Sequence, residues 1–73
     1  MKTIKAMKVV CISPLENFSQ VEVGKTYYID RNTLYLDNGI AYAWVYNESG
    51  IGIWSLNLCH FETIVGSFEL NIY

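Results

Sequence analysis

The chain has 73 residues, of which 52% are hydrophobic and 16% are charged, a composition that predicts one small folded domain and excludes intrinsic disorder. The net charge of −2 is unevenly spread, because no Lys or Arg follows Arg31 whereas four carboxylates do. A groove that follows nucleic-acid phosphates needs Lys and Arg, so more than half of the chain lacks the residues for one.

No membrane segment or signal peptide is visible in the sequence. No apolar run approaches the roughly 20 residues that cross a bilayer, and the opening Met-Lys-Thr-Ile-Lys-Ala-Met-Lys lacks a long apolar stretch. The two cysteines, Cys11 and Cys59, are too few for a disulfide framework and form no Cys-x-x-Cys pair. We therefore expect a cytoplasmic protein with reduced thiols and no membrane contact.

Runs of β-branched and aromatic residues, separated by turn residues, predict strands along the chain and no helix longer than one turn. The predicted strands, in chain order, are 7–12, 25–30, 34–37, 40–46, 51–56 and 68–73, with a polar loop over 13–20 and a short turn around 58–61. Five or six short antiparallel strands predict an all-β barrel with at most a single 3₁₀ turn. We expect one domain over 1–73, with its core in about 7–64 and a C-terminal extension over 65–73.

The register of the two central hairpins follows from their loops. Asn38-Gly39 is the strongest short hairpin signal, since both residues tolerate a positive φ in a type I′ turn. This turn pairs Tyr35 with Tyr42. A four-residue loop in the second hairpin would pair Ala43 with Trp54.

Side chains alternate across a strand, so the hairpins sort into two faces. One set mixes small and large residues, which predicts a core where Ala43 and Gly52 make room for a buried Trp54 ring. This predicted core is Leu34, Leu36, Ala41, Ala43, Val45, Gly52, Trp54 and Leu56. The other set, called here the predicted strip, has rings with polar tips and is expected to bind a partner. The predicted strip is Tyr35, Tyr42, Trp44, Tyr46, Ile51 and Ile53.

Two alternatives place the predicted strip differently. The tail 68–73 or the loop 13–20 could cover it, which would make it a second buried layer. It could also be the surface of a homodimer.

The sequence contains no motif for a nucleotide, a metal or a covalent mechanism. His60 is the single histidine and follows Cys59, but adjacent side chains usually point apart, which disfavours a Cys–His dyad. A metal site would need a further ligand that the fold brings to these residues and Cys11. A solvated salt bridge with Arg31 accounts for Asp30 and Asp37. We therefore predict no catalytic residue, no metal and no cofactor, and a protein that is not an enzyme.

The segment Val21-Glu22-Val23-Gly24-Lys25-Thr26-Tyr27-Tyr28-Ile29, followed by two hairpins and the Phe61-Glu62 pair, resembles small SH3-like barrel proteins encoded by bacteriophages and prophages. The likeness covers about residues 7–64. It implies an SH3-like barrel and an accessory protein that binds a bacterial host protein and modulates or inhibits it in the host cytoplasm. The stretch Ile40–Tyr46 departs from the pattern, because it is aromatic and nearly uncharged where the family leads us to expect charge.

The sequence thus predicts a non-enzymatic protein-binding module, and the resemblance makes its partner a bacterial host protein. The first alternative is a small barrel that stacks single-stranded nucleic acid on its rings, although the stretch from Tyr35 to Ile53 has no Lys or Arg. The second is a structural subunit that assembles with copies of itself.

Overall fold

The computed structural model describes residues 2–72, which form six strands and no α-helix. The strands are β1 (Lys2–Cys11), β2 (Thr26–Asp30), β3 (Tyr35–Asp37), β4 (Ile40–Tyr46), β5 (Gly52–Asn57) and β6 (Phe61–Ile72). One 3₁₀ turn, Arg31–Thr33, joins β2 to β3, and a second, Leu58–His60, joins β5 to β6. The prediction of an all-β domain of five or six antiparallel strands is confirmed. The strands form an open sheet where we expected a closed barrel, and two 3₁₀ turns occur where we expected at most one.

The strands form one antiparallel sheet in the order β3-β4-β2-β1-β6, and β5 pairs with β4. Along β4, β3 pairs with Ile40 to Tyr42 and β2 pairs with Val45 and Tyr46. β5 pairs with Tyr42 to Tyr46, along the same stretch of β4. It therefore occupies one edge of β4, and β2 and β3 share the other edge of β4. The sheet is open, since no ladder joins β5 or the short β3 to β6 within residues 2–72.

The first hairpin has the predicted register and turn. Tyr35 lies opposite Tyr42, and Leu36 lies opposite Ala41. Asn38 has a φ of 53° and Gly39 a φ of 78°, the left-handed pair that a type I′ turn requires.

The second hairpin differs from the prediction because the side chain of Asn47 organises its loop. Its Oδ1 atom accepts hydrogen bonds from the N–H groups of Ser49 (2.9 Å) and Ile51 (3.1 Å). The backbone N–H of Asn47 also donates to the carbonyl of Ile51 at 3.0 Å. The loop therefore closes between these two residues, one position later than predicted, and Tyr46 pairs with Gly52.

A bulge in β5 follows, and the side chains of Ile53 and Trp54 lie on the faces opposite to those predicted. Val45 pairs with Trp54, which leaves Ile53 as the extra residue between two successive pairs. Ile53 packs against the core, whereas Trp54 turns outward and is 58% exposed. The prediction that Ala43 pairs with a buried Trp54 is wrong, and Ala43 instead pairs with Leu56.

The main core lies on one face of the sheet and draws on β1, β2, β4, β5, the start of β6 and the loop between β1 and β2. It consists of Val9, Cys11, Val21, Tyr27, Ile29, Ala43, Val45, Leu56 and Phe61. Three members of the predicted core are therefore buried. Leu34 and Leu36, 51% and 74% exposed, are not, because the end of the first hairpin projects beyond the other strands. Ala41 is half-buried and Gly52 is exposed, so the prediction was wrong for these positions as well.

A second buried cluster joins the two ends of the chain. The N-terminal half of β1 pairs with residues 68–72 of β6, and the cluster consists of Ile4, Ala6, Tyr28, Leu70 and Ile72. The predicted extension over 65–73 therefore belongs to the sheet as far as Ile72, while Tyr73 lies outside the described residues.

Candidate functional site

Two tyrosine rings lie side by side on the face of β3 and β4 that points away from the main core. Tyr35 and Tyr42 are directly opposite each other in the hairpin. Their ring centroids are 5.5 Å apart with an angle of 19° between the planes, which is a stacked pair. The hydroxyl oxygen of Ser55 on β5 lies 3.5 Å from that of Tyr35, so β5 extends the same surface.

Two tryptophan rings continue this surface along β4 and β5. The ring centroids of Trp44 and Trp54 are 5.9 Å apart, and their planes are tilted by 39°. Trp44 lies on this surface because side chains alternate along β4, and Trp54 turns outward next to the bulge at Ile53. The backbone N–H of Trp44 donates to Oγ1 of Thr33 at 2.8 Å, which fixes β4 against the first 3₁₀ turn.

We call these four rings the aromatic face: Tyr35, Tyr42, Trp44 and Trp54. Tyr35 and Trp54 are each at least half exposed, and the other two are half-buried. Three of the four belong to the predicted strip, so the structure brings Tyr35, Tyr42 and Trp44 together as that prediction requires. Sequence reasoning missed Trp54, and the signal that could have placed it was Asn47, whose side chain can close a loop on its own.

The other members of the predicted strip lie elsewhere. Tyr46 packs against the second cluster, whose member Tyr28 lies opposite it in the ladder between β2 and β4. Ile53 packs against the main core. Ile51 lies in the loop of the second hairpin and is 55% exposed, at the margin of the aromatic face.

The aromatic face is uncharged, and the nearest charges along its strands are carboxylates. Asp37 ends β3 and shares the side of Tyr35, and Glu48 lies in the loop that follows β4. Both side chains are exposed. Within residues 2–72 the only ion pair joins Lys25 to Glu22, with 2.6 Å between Nζ and Oε2. The hydrogen bond and the charge of Glu22 raise the pKa of Lys25 above its usual value.

The single histidine takes part in a contact that the sequence did not indicate. Oγ of Ser13 lies 2.8 Å from Nδ1 of His60, and the carbonyl of His60 accepts a hydrogen bond from the N–H of Ile12 at 2.8 Å. Beside this contact is a cavity of about 350 Å³ lined by Pro14, Leu15, Glu16, Asn17, Phe18 and His60. The contact holds the loop after β1 against the second 3₁₀ turn.

The residues considered for metal chemistry do not form a cluster. Cys11 is buried, and its thiol donates to the carbonyl of Ser13 at 3.2 Å, whereas Cys59 is exposed. In the described part of the chain, no group of three or more His, Cys, Asp or Glu side chains could hold a metal ion.

Comparisons of the chain with protein-family models, with curated proteins and with solved structures find no match. The resemblance to phage-encoded SH3-like barrels therefore remains a prediction. Residues 2–72 include no helix with the length and apolar character that crossing a membrane requires.

Proposed function

We propose that this domain is a non-enzymatic protein-binding module and that the aromatic face is its contact surface. The observation that supports the proposal is the exposure of Trp54, 58%, beside three further rings on one sheet. Large rings with a polar tip are enriched at protein interfaces, where they bury much apolar area and still tolerate water before the partner arrives.

Neighbouring groups hold the rings of the aromatic face in place, which also favours its role as a contact surface. Trp44 is anchored through its backbone to Thr33, and Tyr35 and Tyr42 stack on each other across a regular ladder. Rings held in one arrangement lose little conformational freedom on binding, which lowers the entropic cost of association.

The charge around the aromatic face favours a protein over a nucleic acid. No Lys or Arg follows Arg31 in the sequence, and Asp37 and Glu48 lie at the two ends of β4. A single strand of nucleic acid needs cations beside the stacking rings to neutralise its phosphates. From the sequence resemblance we propose further that the partner is a bacterial host protein, which the module modulates or inhibits in the host cytoplasm.

A capture experiment with two neighbouring variants tests the contact surface. Tyr35 and Leu36 are adjacent in β3, are 50% and 74% exposed, and point to opposite sides of the hairpin. The immobilised wild-type chain and the Leu36→Ser variant should retain the same protein from a bacterial lysate, and Tyr35→Ser should lose it. All three chains are first compared by thermal unfolding, so that a loss of fold is not mistaken for a loss of binding.

Two results would contradict the proposal. One is a folded Tyr35→Ser variant that still captures the partner at the wild-type level. The other is a folded Leu36→Ser variant that loses the partner, because that outcome would move the contact to the opposite side of the hairpin.

A further inference from the structure

Resting on the proposed function, the geometry points to the kind of segment that the aromatic face binds. We propose that it is an extended, basic peptide segment, which pairs as an added strand with the open edge of β5. Its Lys or Arg side chains would lie over the rings of Trp54 and Trp44.

The edge of β5 that faces away from β4 is open. β5 pairs only with β4, so within the described residues its other edge carries backbone N–H and C=O groups without a strand partner. An edge of this kind accepts an extended peptide by strand addition. The bulge lies at the start of β5, which leaves the run from Trp54 to Asn57 in regular register.

The three edge strands of the sheet differ in how they are protected. β3 has only three residues and ends in Asp37, and β6 has two register shifts against β1 and carries Glu62 and Glu69, features that discourage a further strand. β5 contains neither a charged residue nor a proline between Gly52 and Asn57. Since natural sheets commonly blunt their edges with such features, the plain edge of β5 is the one suited to receive a strand.

Two indole rings lie on or beside β5. Trp54 belongs to β5 itself, and Trp44 lies 5.9 Å from it, centroid to centroid. A strand added beside β5 would therefore pass next to an indole that is more than half exposed. The face of an indole is the best aromatic surface for a Lys or Arg cation.

The charges around the aromatic face favour a cationic segment over a second copy of this chain or a nucleic acid. The cations nearest in sequence are engaged elsewhere, because Arg31 donates to the carbonyl of Gly66 on β6 and Lys25 is paired with Glu22. Glu48 lies near Lys25, with which it lines one cavity, whereas Asp37 is exposed on the side of Tyr35 and forms no ion pair within the described residues. Asp37 would therefore attract a basic segment, whereas a second copy of this chain would bring the same carboxylate to this face and a nucleic acid would bring phosphates.

Peptide titrations of the full chain test this inference. The probe is a peptide of about eight residues in which Arg and Val alternate, so that every Arg side chain lies on one side of the added strand. Binding is followed by tryptophan fluorescence and by NMR shifts of the β5 amides. We expect the matched peptide with Glu in place of Arg to bind at least about tenfold more weakly. N-methylation of every second residue of the Arg peptide should also weaken binding, because it removes the ladder donors on one edge.

Three variants locate the peptide on the surface. Trp54→Ala should weaken the Arg peptide by about tenfold, the effect of losing one good cation–π contact. Asp37→Asn should weaken it by severalfold, and Glu62→Gln, which removes one carboxylate from the other edge of the sheet, should not change it. Equal effects of the two charge variants would overturn the inference.

The remaining outcomes separate this inference from the proposed function. The inference is wrong if the Arg peptide shows no binding up to about 1 mM, or if the Glu peptide binds equally well. It is also wrong if the aromatic face takes single-stranded oligonucleotides instead, or if sedimentation shows a dimer that depends on Trp54. In any of these cases a protein captured in a Tyr35-dependent way would still support the proposed function.

Discussion

The indole ring of Trp44 lies against Gly52, so that a Cβ atom added to this glycine would be 2.6 Å from Nε1 of the ring. Real Cβ atoms essentially never come so close to another heavy atom, and the place of the missing side chain is taken by the ring. The sequence predicted that Gly52 makes room for a tryptophan, but it assigned the room to Trp54 rather than Trp44. The glycine therefore shapes the aromatic face and not the core.

Gly52→Ala should displace the Trp44 ring and distort the aromatic face. The added methyl group meets the ring atoms Nε1, Cε2 and Cζ2 of Trp44 at 2.6 to 3.3 Å, so the ring must move. We expect a loss of about 1–3 kcal/mol in the free energy of unfolding, typical of overpacking, and a changed near-ultraviolet circular dichroism signal from the tryptophans.

Gly66→Ala is the matched control, because a Cβ added at this glycine on β6 meets nothing within 4 Å. Urea unfolding should show a neutral or slightly stabilising effect there. Equal destabilisation by the two substitutions would mean that a change in backbone freedom, and not the contact with Trp44, causes the destabilisation by Gly52→Ala.

The first hairpin could be predicted in register because backbone geometry alone specifies its turn. Asn38 and Gly39 adopt positive φ angles, and the type I′ turn that they form matches the twist of the flanking strands. The all-β fold and three of the four rings of the aromatic face followed from the same alternation. Local information was sufficient for these features.

The second hairpin could not be predicted in the same way, because a side chain decides where its loop closes. The two hydrogen bonds to Oδ1 of Asn47 move the closure by one residue, which exchanges the faces predicted for Gly52 and Ile53. From Trp54 onward the register differs by two residues, which keeps Leu56 in the core, and Trp54, which adjoins the bulge at Ile53, turns outward. The pairing of β1 with the end of β6 was missed for a different reason, since contacts between the two chain ends leave no local pattern.

Leu56→Ala and Trp54→Ala should differ in stability, although the sequence predicted both side chains to be in the core. Leu56 is 2% exposed in the main core, so its truncation should leave a cavity and cost about 2–5 kcal/mol. Trp54 is largely exposed, and its truncation should cost about 1 kcal/mol or less. Urea unfolding of both variants measures the difference. A Trp54→Ala chain less stable than Leu56→Ala would mean that the Trp54 ring is buried, as the sequence predicted.

Tyr46→Phe should change how the stability depends on alkaline pH. Burial, and after it the negative charge of Asp30, raises the pKa of Tyr46 above its usual value of 10.0. Because the folded pKa exceeds the unfolded one, the stability that the neutral phenol contributes is complete below the unfolded pKa. It is lost as the pH rises through the folded pKa. From about pH 8 to about pH 11, the urea midpoint should fall more for the wild type than for Tyr46→Phe. Parallel curves would show that this tyrosine ionises equally well in both states.

Gly50→Ala should reveal how the second hairpin is tied to the end of β6. Gly50 is buried at a φ of 79°, and a Cβ added there would overlap the carbonyl oxygen of Asn71. Gly24 has a similar φ of 88°, but an added Cβ meets nothing within 4 Å, so Gly24→Ala measures the backbone strain alone. We expect about 1–2 kcal/mol of destabilisation for Gly24→Ala and about 1–3 kcal/mol more for Gly50→Ala. Hydrogen exchange should also quicken for residues 68–72 in Gly50→Ala only, because the overlap pushes that end of β6 away from the loop. Equal losses of stability with unchanged exchange would show that the loop and β6 are not coupled.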